Sequence, residues 1–433
     1  MCETTSATSS GTTILTPVSE ESGSPADAAS GADTIRPAAA PSTSASRLGP
    51  LRARLDRPVA VLAFVAAVWG VWAVAVIGRG DVETLPRVGI TFLDQGAGSS
   101  ADIDALRPDA TRTFGYDGQF FLYIAIDPVD ARAYVDEPPY RYARIVYPLL
   151  ARAAAVGRSE LVPWTLFGLG LAAVGAGTYL LARYLAARGA SPWYALLFGL
   201  TPGLQVAVNR DLAEPLAYAF VAGGILAFGS GHRRLVLSGT LFALAGLTRE
   251  TTLLFPLAYA LSLALGLADG RRARRDARGA VLLFALAVVP YVLLRAGLRA
   301  WLGIWQTERE PRLEPIPFRG ILANWPLDRV ELEQVYAVVA PSVLALAAIV
   351  VLLRRATPAV AALAANVLAL VIFLPEPSYA EFVASSRIAL GVVVAFVTCL
   401  ALVPRADRML VAAGPAVLWL APWYSLFPTA FGR

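Results

Sequence analysis

The residue best suited to chemistry in this sequence is an aspartate between a tyrosine and a glycine. Asp117 stands between Tyr116 and Gly118, where a tight turn would let a substrate come close to the backbone. A partly buried carboxylate can act as a general base toward a hydroxyl group. Asp117 also precedes an apolar run, which suits the N-cap of a helix starting at Gly118. The two roles are compatible, so Asp117 is the first candidate catalytic residue.

Two arginines follow in a stretch rich in tyrosine. Arg141 and Arg144 are three positions apart, so they share one face of the amphipathic helix that we predict over Tyr140–Val156. Two guanidinium groups on one face could bind a phosphate through paired hydrogen bonds. The alternative is that both side chains extend toward lipid headgroups without a specific ligand. The sequence does not decide between these roles.

Two further polar groups interrupt apolar runs. Asn209-Arg210-Asp211 and Glu214-Pro215 end one run and open the next, and Glu214 before Pro215 suits a helix start. Arg249-Glu250 lies between two later runs. Ionisable residues at membrane depth are costly and often functional, which favours a site. A capped, ion-paired hairpin in water and a local Arg249–Glu250 pair are the alternatives.

Long apolar segments must position these residues. The chain has 433 residues, of which 57% are hydrophobic and 16% charged, whereas soluble domains carry about 25% charged residues. A membrane span needs about 20 apolar residues. We therefore predict an all-α polytopic transmembrane bundle with about eleven spans, near residues 59–77, 161–182, 193–208, 213–229, 235–247, 251–267, 280–303, 335–353, 358–374, 387–403 and 409–425.

Polar stretches divide the chain into a tail, a transmembrane domain and two large loops. Residues 1–50 are rich in Ser, Thr, Ala, Gly and Pro, which predicts a disordered cytoplasmic tail. The transmembrane domain is predicted over residues 58–428. Its two extracytoplasmic loops are predicted at 78–160 and 304–334.

The distribution of arginine predicts the topology. Arg47, Arg52, Arg54 and Arg57 lie just before the first predicted span, and thirteen arginines lie in the short loops that would then be cytoplasmic. The short loops on the other side contain three, Arg210, Arg249 and Arg387. Basic residues concentrate on the cytoplasmic side of membrane proteins. The N-terminus is therefore predicted inside, and the candidate residues fall on the extracytoplasmic face of the plasma membrane.

Composition excludes several classes of function. The chain has one histidine, His232, which rules out histidine-based triads and histidine-rich zinc sites. Its two cysteines, Cys2 and Cys399, are too few and too distant for a disulfide framework or a thiolate site. The net charge of +5 is explained by arginines beside apolar spans, so no nucleic-acid partner is predicted.

Several of these motifs together resemble a known family. They are Tyr116-Asp117-Gly118-Gln119-Phe120-Phe121 with Asp127-Pro128, Arg141-Tyr142-x-Arg144-Ile145-x-Tyr147-Pro148, Arg210-Asp211-x-x-Glu214-Pro215 and Leu247-Thr248-Arg249-Glu250. Over about residues 60–390 the chain is similar to prokaryotic polytopic proteins linked to cell-surface glycopolymer formation. That family resembles the GT-C class of membrane glycosyltransferases.

The resemblance implies a function and a set of site residues. GT-C enzymes take a sugar from a polyprenyl-phosphate donor, and an acidic residue of the first external loop acts as the base or helps to bind a metal. Here that residue would be Asp117, with Asp127 second, and the acceptor would be a cell-envelope glycan or lipid. Arg141 and Arg144, with Arg210 or Arg249, would hold the phosphate. The full set of predicted substrate-binding residues is Tyr116, Gln119, Asp127, Arg141, Arg144, Tyr147, Arg210, Asp211, Glu214, Arg249 and Glu250.

One departure from the GT-C pattern concerns metal. The Asp-x-Asp or Glu-Asp pair that is common in the first external loop is not present beside Asp117, and Asp102-Ile103-Asp104 lies in a separate polar stretch. The resemblance leaves room for Mg²⁺ or Mn²⁺, but no metal ligand is assigned.

Two other classes of function remain open. A transporter or lipid flippase would bind its substrate near the midplane with broken helices and internal repeats, whereas the candidate residues lie near predicted span ends. A non-enzymatic component of glycopolymer assembly would tolerate substitutions at Asp117, Arg141 and Glu214.

Overall fold

The computed structural model describes residues 56–228, 232–267, 276–305, 312–323 and 325–423. The predicted tail at 1–50 lies outside these residues, as do parts of the basic loop around 271–278 and of the predicted loop 304–334. The regular structure of the described residues is helical, with one isolated β-bridge between Gly89 and Thr111. The predicted all-α class is confirmed.

The described helices of seven or more residues are numbered along the chain. They are α1 (Pro58–Arg79), α2 (Ile90–Gly96), α3 (Gly118–Ile126), α4 (Val146–Ala154), α5 (Val162–Ala186), α6 (Pro202–Val208), α7 (Glu214–Ala227), α8 (His232–Thr248), α9 (Leu254–Leu265), α10 (Ala277–Leu302), α11 (Ala340–Leu353), α12 (Pro358–Val367), α13 (Phe382–Ile388), α14 (Leu390–Leu400) and α15 (Arg408–Leu420). Shorter helical segments are Val82–Thr84, Ala101–Asp104, Arg107–Asp109, Asp130–Ala133, Pro138–Arg141, Tyr142–Arg144, Ser159–Leu161, Pro192–Ala195, Leu196–Gly199, Glu250–Leu253, Arg319–Leu322, Arg329–Gln334, Val335–Val339, Leu368–Ile372 and Glu376–Tyr379.

Five helical stretches of the described chain are long and apolar enough to cross a membrane. They are Pro58–Arg79, Ser159–Ala186, Ala277–Leu302, Arg329–Leu353 and Phe382–Leu400. Shorter apolar helices are Glu214–Ala227, Glu250–Leu265, Pro358–Ile372 and Arg408–Leu420. These helices are compatible with an integral membrane protein.

Exposed apolar side chains point to the same environment. On α1, Val71 and Val74 are 68% and 71% exposed, and on α10 Val281 and Leu293 are 68% and 64% exposed. A helix that is apolar on its outer surface is stable where the surroundings are also apolar. Lipid is the solvent that suits these two helices.

The chain between α1 and α5 folds over one end of the long helices; residues 80–158 are called the cap segment here. Its helix α3 is buried on every side, as its run of Phe, Leu, Tyr and Ile requires. The apolar cluster that contains α3 also includes Leu166 of α5, Leu216 of α7 and Leu298 of α10. The cap segment is therefore packed onto the helices that carry the other candidate residues.

One predicted span is broken. Residues 193–208 form short helical segments that stop at Leu200, and α6 begins at Pro202. Pro202 lacks an N–H, and the residue before a proline is forced toward extended backbone, as Thr201 is here (ψ 136°). The indoles of Trp69 and Trp423 donate to the carbonyls of Gly199 and Leu200, at 2.9 and 2.6 Å.

Candidate functional site

Asp117 occupies the N-cap position of α3, but its side chain does not cap the helix. One carboxylate oxygen lies 3.0 Å from Nη1 of Arg141, and the other accepts a hydrogen bond of 2.7 Å from Nη2 of Arg387. The side chain is 21% exposed. The helix-start prediction is correct, while the carboxylate serves to join the cap segment to α13.

The two guanidinium groups make Asp117 strongly acidic. Burial by itself would raise the pKa of Asp117, but Arg141 and Arg387 lower that pKa below its ordinary range. A carboxylate with so low a pKa is a weak base while both ion pairs are intact. If another anion attracts one of these guanidiniums, the pKa of Asp117 rises and its carboxylate becomes a better proton acceptor.

Glu214 is the second acidic centre. It begins α7, as predicted, and its side chain is 1% exposed. Its Oε1 accepts hydrogen bonds from Arg249 at 2.6 Å and from Arg387 at 3.1 Å, while Oε2 has no described partner. Arg387 therefore bridges Asp117 and Glu214.

Arg141 and Arg144 are both buried but bind different carboxylates. Arg141 donates from Nε and Nη2 to Asp136, at 2.7 and 2.8 Å, in addition to its contact with Asp117. Arg144 donates to Glu250 from Nε and Nη2, at 2.9 and 2.6 Å. With exposures of 8% and 2%, neither arginine extends toward lipid headgroups.

The single amphipathic helix predicted over Tyr140–Val156 is wrong. The structure divides it into Pro138–Arg141, a 3-10 turn at Tyr142–Arg144, and α4. The change of helix type follows from burial, because each guanidinium must reach its own carboxylate. Both guanidiniums still lie against the Tyr140 ring, at 5.2 Å for Arg141 and 4.2 Å for Arg144.

These pairs are called the arginine–carboxylate network below: one series of ion pairs runs from Asp136 to Arg249, and the separate Arg144–Glu250 pair lies beside it at the Tyr140 ring. Its residues come from the cap segment, from α7, from α13 and from the turn between α8 and α9. Its members are Asp117, Asp136, Arg141, Arg144, Glu214, Arg249, Glu250 and Arg387. Buried ion pairs of this kind are costly to break because the remaining partner stays charged and desolvated.

Arg210 lies beside the network and has no ion pair with any other described residue. Its guanidinium is 5.1 Å from the centre of the Tyr116 ring, and that of Arg387 is 5.5 Å from the same ring. The Nε of Arg210 is buried and has no described hydrogen-bond partner. Burial, followed by the nearby charge of Arg87, lowers the pKa of Arg210 to about 10.

The neighbouring Asp211 does not neutralise Arg210. Asp211 is 1% exposed, and neither of its carboxyl oxygens has a described hydrogen-bond partner. Burial alone raises the pKa of Asp211 well above its ordinary value. Its φ of +48° is a left-handed conformation, which Asp tolerates better than most residues. Burial therefore favours the neutral form of the Asp211 carboxyl group.

A glycine holds Arg210 against the start of α3. A Cβ at Gly118 would lie 2.0 Å from the carbonyl oxygen of Arg210, so only glycine allows this approach. Gln119 fixes the preceding loop by accepting from the N–H of Gly89 at 3.0 Å and donating to the carbonyl of Phe114 at 2.8 Å. Gly115 supplies the left-handed turn, with φ +73°, that brings Tyr116 under Arg210.

Three predicted substrate-binding residues have structural partners instead. Asp127 accepts from Ser100 at 2.8 Å and from the N–H groups of Val129 and Asp130. The buried hydroxyl of Tyr147 donates to the carbonyl of Leu166 at 3.0 Å. With Gln119, these residues shape the cap segment and lie outside the network.

The described residues contain no group of three or more His, Cys, Asp or Glu side chains with the geometry of a metal site. In the Asp-x-Asp stretch, Asp104 accepts from the N–H of Gly98 at 2.8 Å. Asp102 lines a cleft described next.

A cleft of about 860 Å³ opens within the cap segment and reaches the site at Tyr116. Its lining includes Arg87 and the exposed carboxylates of Glu83, Asp102 and Asp109. Carboxylates and a tyrosine offer hydrogen bonds to hydroxyl groups. The cleft is large enough for a polar ligand beside Tyr116, although Asp117 itself is not part of the lining.

Sequence reasoning missed Arg387 as a site residue. A signal was present, because Arg210, Arg249 and Arg387 are the three arginines in short loops predicted on the arginine-poor side. The structure brings two of them onto Glu214 and two onto Tyr116.

Comparison with known proteins gives no match to this chain. No family model fits the sequence, and neither the curated proteins nor the solved structures include one that is significantly similar.

Proposed function

We propose that this protein is a membrane glycosyltransferase that moves a sugar from a polyprenyl-phosphate donor to a cell-surface glycan or lipid acceptor. The observation that carries the proposal is the position of Asp117, held between two guanidinium groups where the cap segment meets α7 and α13. The proposal includes about eleven spans, a cytoplasmic N-terminus and an extracytoplasmic site. The resemblance of the motifs to GT-C-like proteins supports the reaction class.

The proposed reaction is a displacement with inversion. The acceptor hydroxyl oxygen bonds to the anomeric carbon, while the bond from that carbon to the donor phosphate oxygen breaks and its electron pair leaves with the phosphate. The hydroxyl proton passes to Asp117. Guanidinium groups already in place stabilise the phosphate as its charge develops, which is usually a large term in catalysis.

The ion pairs of Asp117 give substrate binding a second role. A phosphate that attracts Arg387 or Arg141 weakens the pairs that hold the pKa of Asp117 low. Asp117 then becomes a stronger base when the donor is present. Donor binding and activation of the base are linked through shared guanidiniums.

The experiment is a transfer assay on purified protein in lipid. A radiolabelled polyprenyl-phosphate hexose panel and extracted cell-surface acceptors are supplied to wild type, Asp117→Asn and Asp94→Asn. Asp94 is the matched control because it lies in the cap segment, its side chain is 61% exposed, and it belongs neither to the network nor to the lining of the cleft. General-base catalysis contributes about 10²–10⁴-fold, so we expect at least about a hundredfold loss in Asp117→Asn and near-normal transfer by Asp94→Asn.

Two results would contradict the assignments. Equal transfer by Asp117→Asn and wild type would remove Asp117 as the base. No transfer by wild type over the whole donor panel would remove the glycosyltransferase proposal.

A polytopic transporter or flippase is the second candidate. It is favoured by the broken helix at Leu200–Pro202, since discontinuous helices are common at transporter binding sites. Accumulation of a lipid-linked sugar on one side of vesicles, without a covalent product, would support that candidate over the transferase.

A further inference from the structure

The charges around Tyr116 do not balance. Five arginines (Arg141, Arg144, Arg210, Arg249 and Arg387) lie with four ion-paired carboxylates (Asp117, Asp136, Glu214 and Glu250). The remaining positive charge belongs to Arg210, which has no ion pair among the described residues: neither oxygen of the buried Asp211 carboxyl group has a described partner, and burial raises the pKa of Asp211, which favours its neutral form. Arg87 and Glu381 are both exposed and lie near Arg210, and their opposite charges cancel in this count.

Unused hydrogen-bond donors lie at the same place. Arg387 and Arg210 each keep a buried Nε with no described partner, and their guanidiniums share the Tyr116 ring. A buried donor without an acceptor is unfavourable, so such groups normally face a ligand or water. An anion with several acceptor oxygens would satisfy both donors and the excess charge.

We infer that Arg210 and Arg387, over the Tyr116 ring, form a binding site for a singly charged phosphodiester. This inference rests on the proposed function and deepens it, because it assigns the donor phosphate to Arg210 and Arg387. Arg141 uses all three guanidinium nitrogens on Asp117 and Asp136, and Arg144 is bound twice by Glu250, whereas Arg387 pairs with Asp117 and Glu214 and still keeps its Nε. A diphosphate would bring more negative charge than the site has in excess.

The test is equilibrium binding to the full-length protein in detergent, measured by native mass spectrometry. The probe is dodecyl methyl phosphate, a single-tailed phosphodiester with one negative charge. Dimethyl phosphate represents the free anion and dodecyl methyl ether the neutral tail. The variants are Arg210→Gln, Arg210→Lys and, as a matched loss of charge from an exposed position of the cap segment, Arg112→Gln.

We expect wild type and Arg112→Gln to bind the phosphodiester alike. Arg210→Gln should bind at least about tenfold more weakly, because a charge-assisted pair is lost, and Arg210→Lys should be intermediate, since lysine keeps the charge without the planar fork. Dodecyl methyl ether should bind far more weakly than the phosphodiester. Equal binding by Arg210→Gln and wild type, or equal binding of ether and phosphodiester, would overturn the inference.

The binding and transfer measurements together distinguish a failure of this inference from a failure of the proposed function. If Arg210-dependent binding is found and no sugar is transferred, the anion site stands and the transferase proposal fails. If dimethyl phosphate binds as well as the tailed probe, the anion site again stands, for a soluble phosphodiester and against a lipid-linked donor. Transfer that is unaffected in Arg210→Gln would overturn the site.

Discussion

Asp211 is a carboxyl group that folding places where neither water nor a hydrogen-bond donor compensates its charge. Its pKa is raised by burial, so it keeps its proton in the folded protein at pH values where the unfolded chain, with an aspartate pKa of about 3.9, has lost it. Folding then takes up a proton. The stability contributed by neutral Asp211 is complete below the unfolded pKa and declines as pH rises toward the folded pKa, by up to about 1.4 kcal/mol per pH unit.

Asp211→Asn should remove this dependence. Asparagine is neutral at all these pH values and accepts the left-handed backbone of this position. We expect the melting temperature of wild type to fall relative to that of Asp211→Asn between pH 5 and pH 7. An exposed-carboxylate control, Asp102→Asn, should follow wild type. Parallel curves for wild type and Asp211→Asn would show that Asp211 is already ionised in the folded protein.

At the scale of elements, the contact between α3 and the α6–α7 turn depends on Gly118, which has no Cβ atom. Gly118→Ala would place a Cβ 2.0 Å from the Arg210 carbonyl oxygen, so backbone must move. Overpacking of this kind costs about 1–3 kcal/mol. We expect a lower melting temperature and weaker phosphodiester binding, because Arg210 moves away from Tyr116.

Gly70→Ala is the control for that experiment. Gly70 lies inside α1, and a Cβ there would meet no other atom within 4 Å. Alanine is favoured over glycine in a helix by about 0.5–1 kcal/mol, so this variant should be as stable as wild type or slightly more. Equal melting temperatures for Gly118→Ala and Gly70→Ala would mean that the contact at Arg210 is not close.

Helix starts could be read from the sequence, while the partners of the site residues could not. Pro58, Pro215 and Pro358 each stand in the first turn of a helix, as a proline that lacks an N–H should. The bond from Arg387 to Asp117 joins residues 270 positions apart. Spacing rules apply only within one helix, so no local pattern indicates such a pair.

The arginines of the cap segment show the same limit. Spacing predicted that Arg141 and Arg144 share one helix face, where they could bind a phosphate or extend toward lipid headgroups, but Asp136 and Glu250 bind them separately. Arg210 is next to Asp211 in the sequence, but no ion pair joins them among the described residues, and the Arg210 guanidinium lies against the Tyr116 ring instead. The sequence therefore predicted which residues lie near the site, but not which arginines are paired with carboxylates.

For the whole molecule, the proposed topology can be tested by labelling. In a protein without Cys2 and Cys399, Ser99→Cys in the cap segment and Ala187→Cys after α5 provide exposed single thiols. We expect a membrane-impermeant maleimide on intact cells to label Ser99→Cys and not Ala187→Cys. Both should react after permeabilisation, and the reverse pattern on intact cells would invert the proposed orientation.

The broken helix at Leu200–Pro202 has a consequence for biosynthesis. In lipid, each unsatisfied carbonyl costs several kcal/mol, and the two carbonyls here are satisfied by indoles from opposite parts of the chain. Trp69 has already left the ribosome when the break is made, but Trp423 follows Leu200 by 223 positions. In the proposed topology, α7 to α15 are therefore inserted before the carbonyl of Leu200 can accept a hydrogen bond from Trp423. The predicted span 193–208 therefore gains its last hydrogen bond only after the predicted span 409–425 has been made.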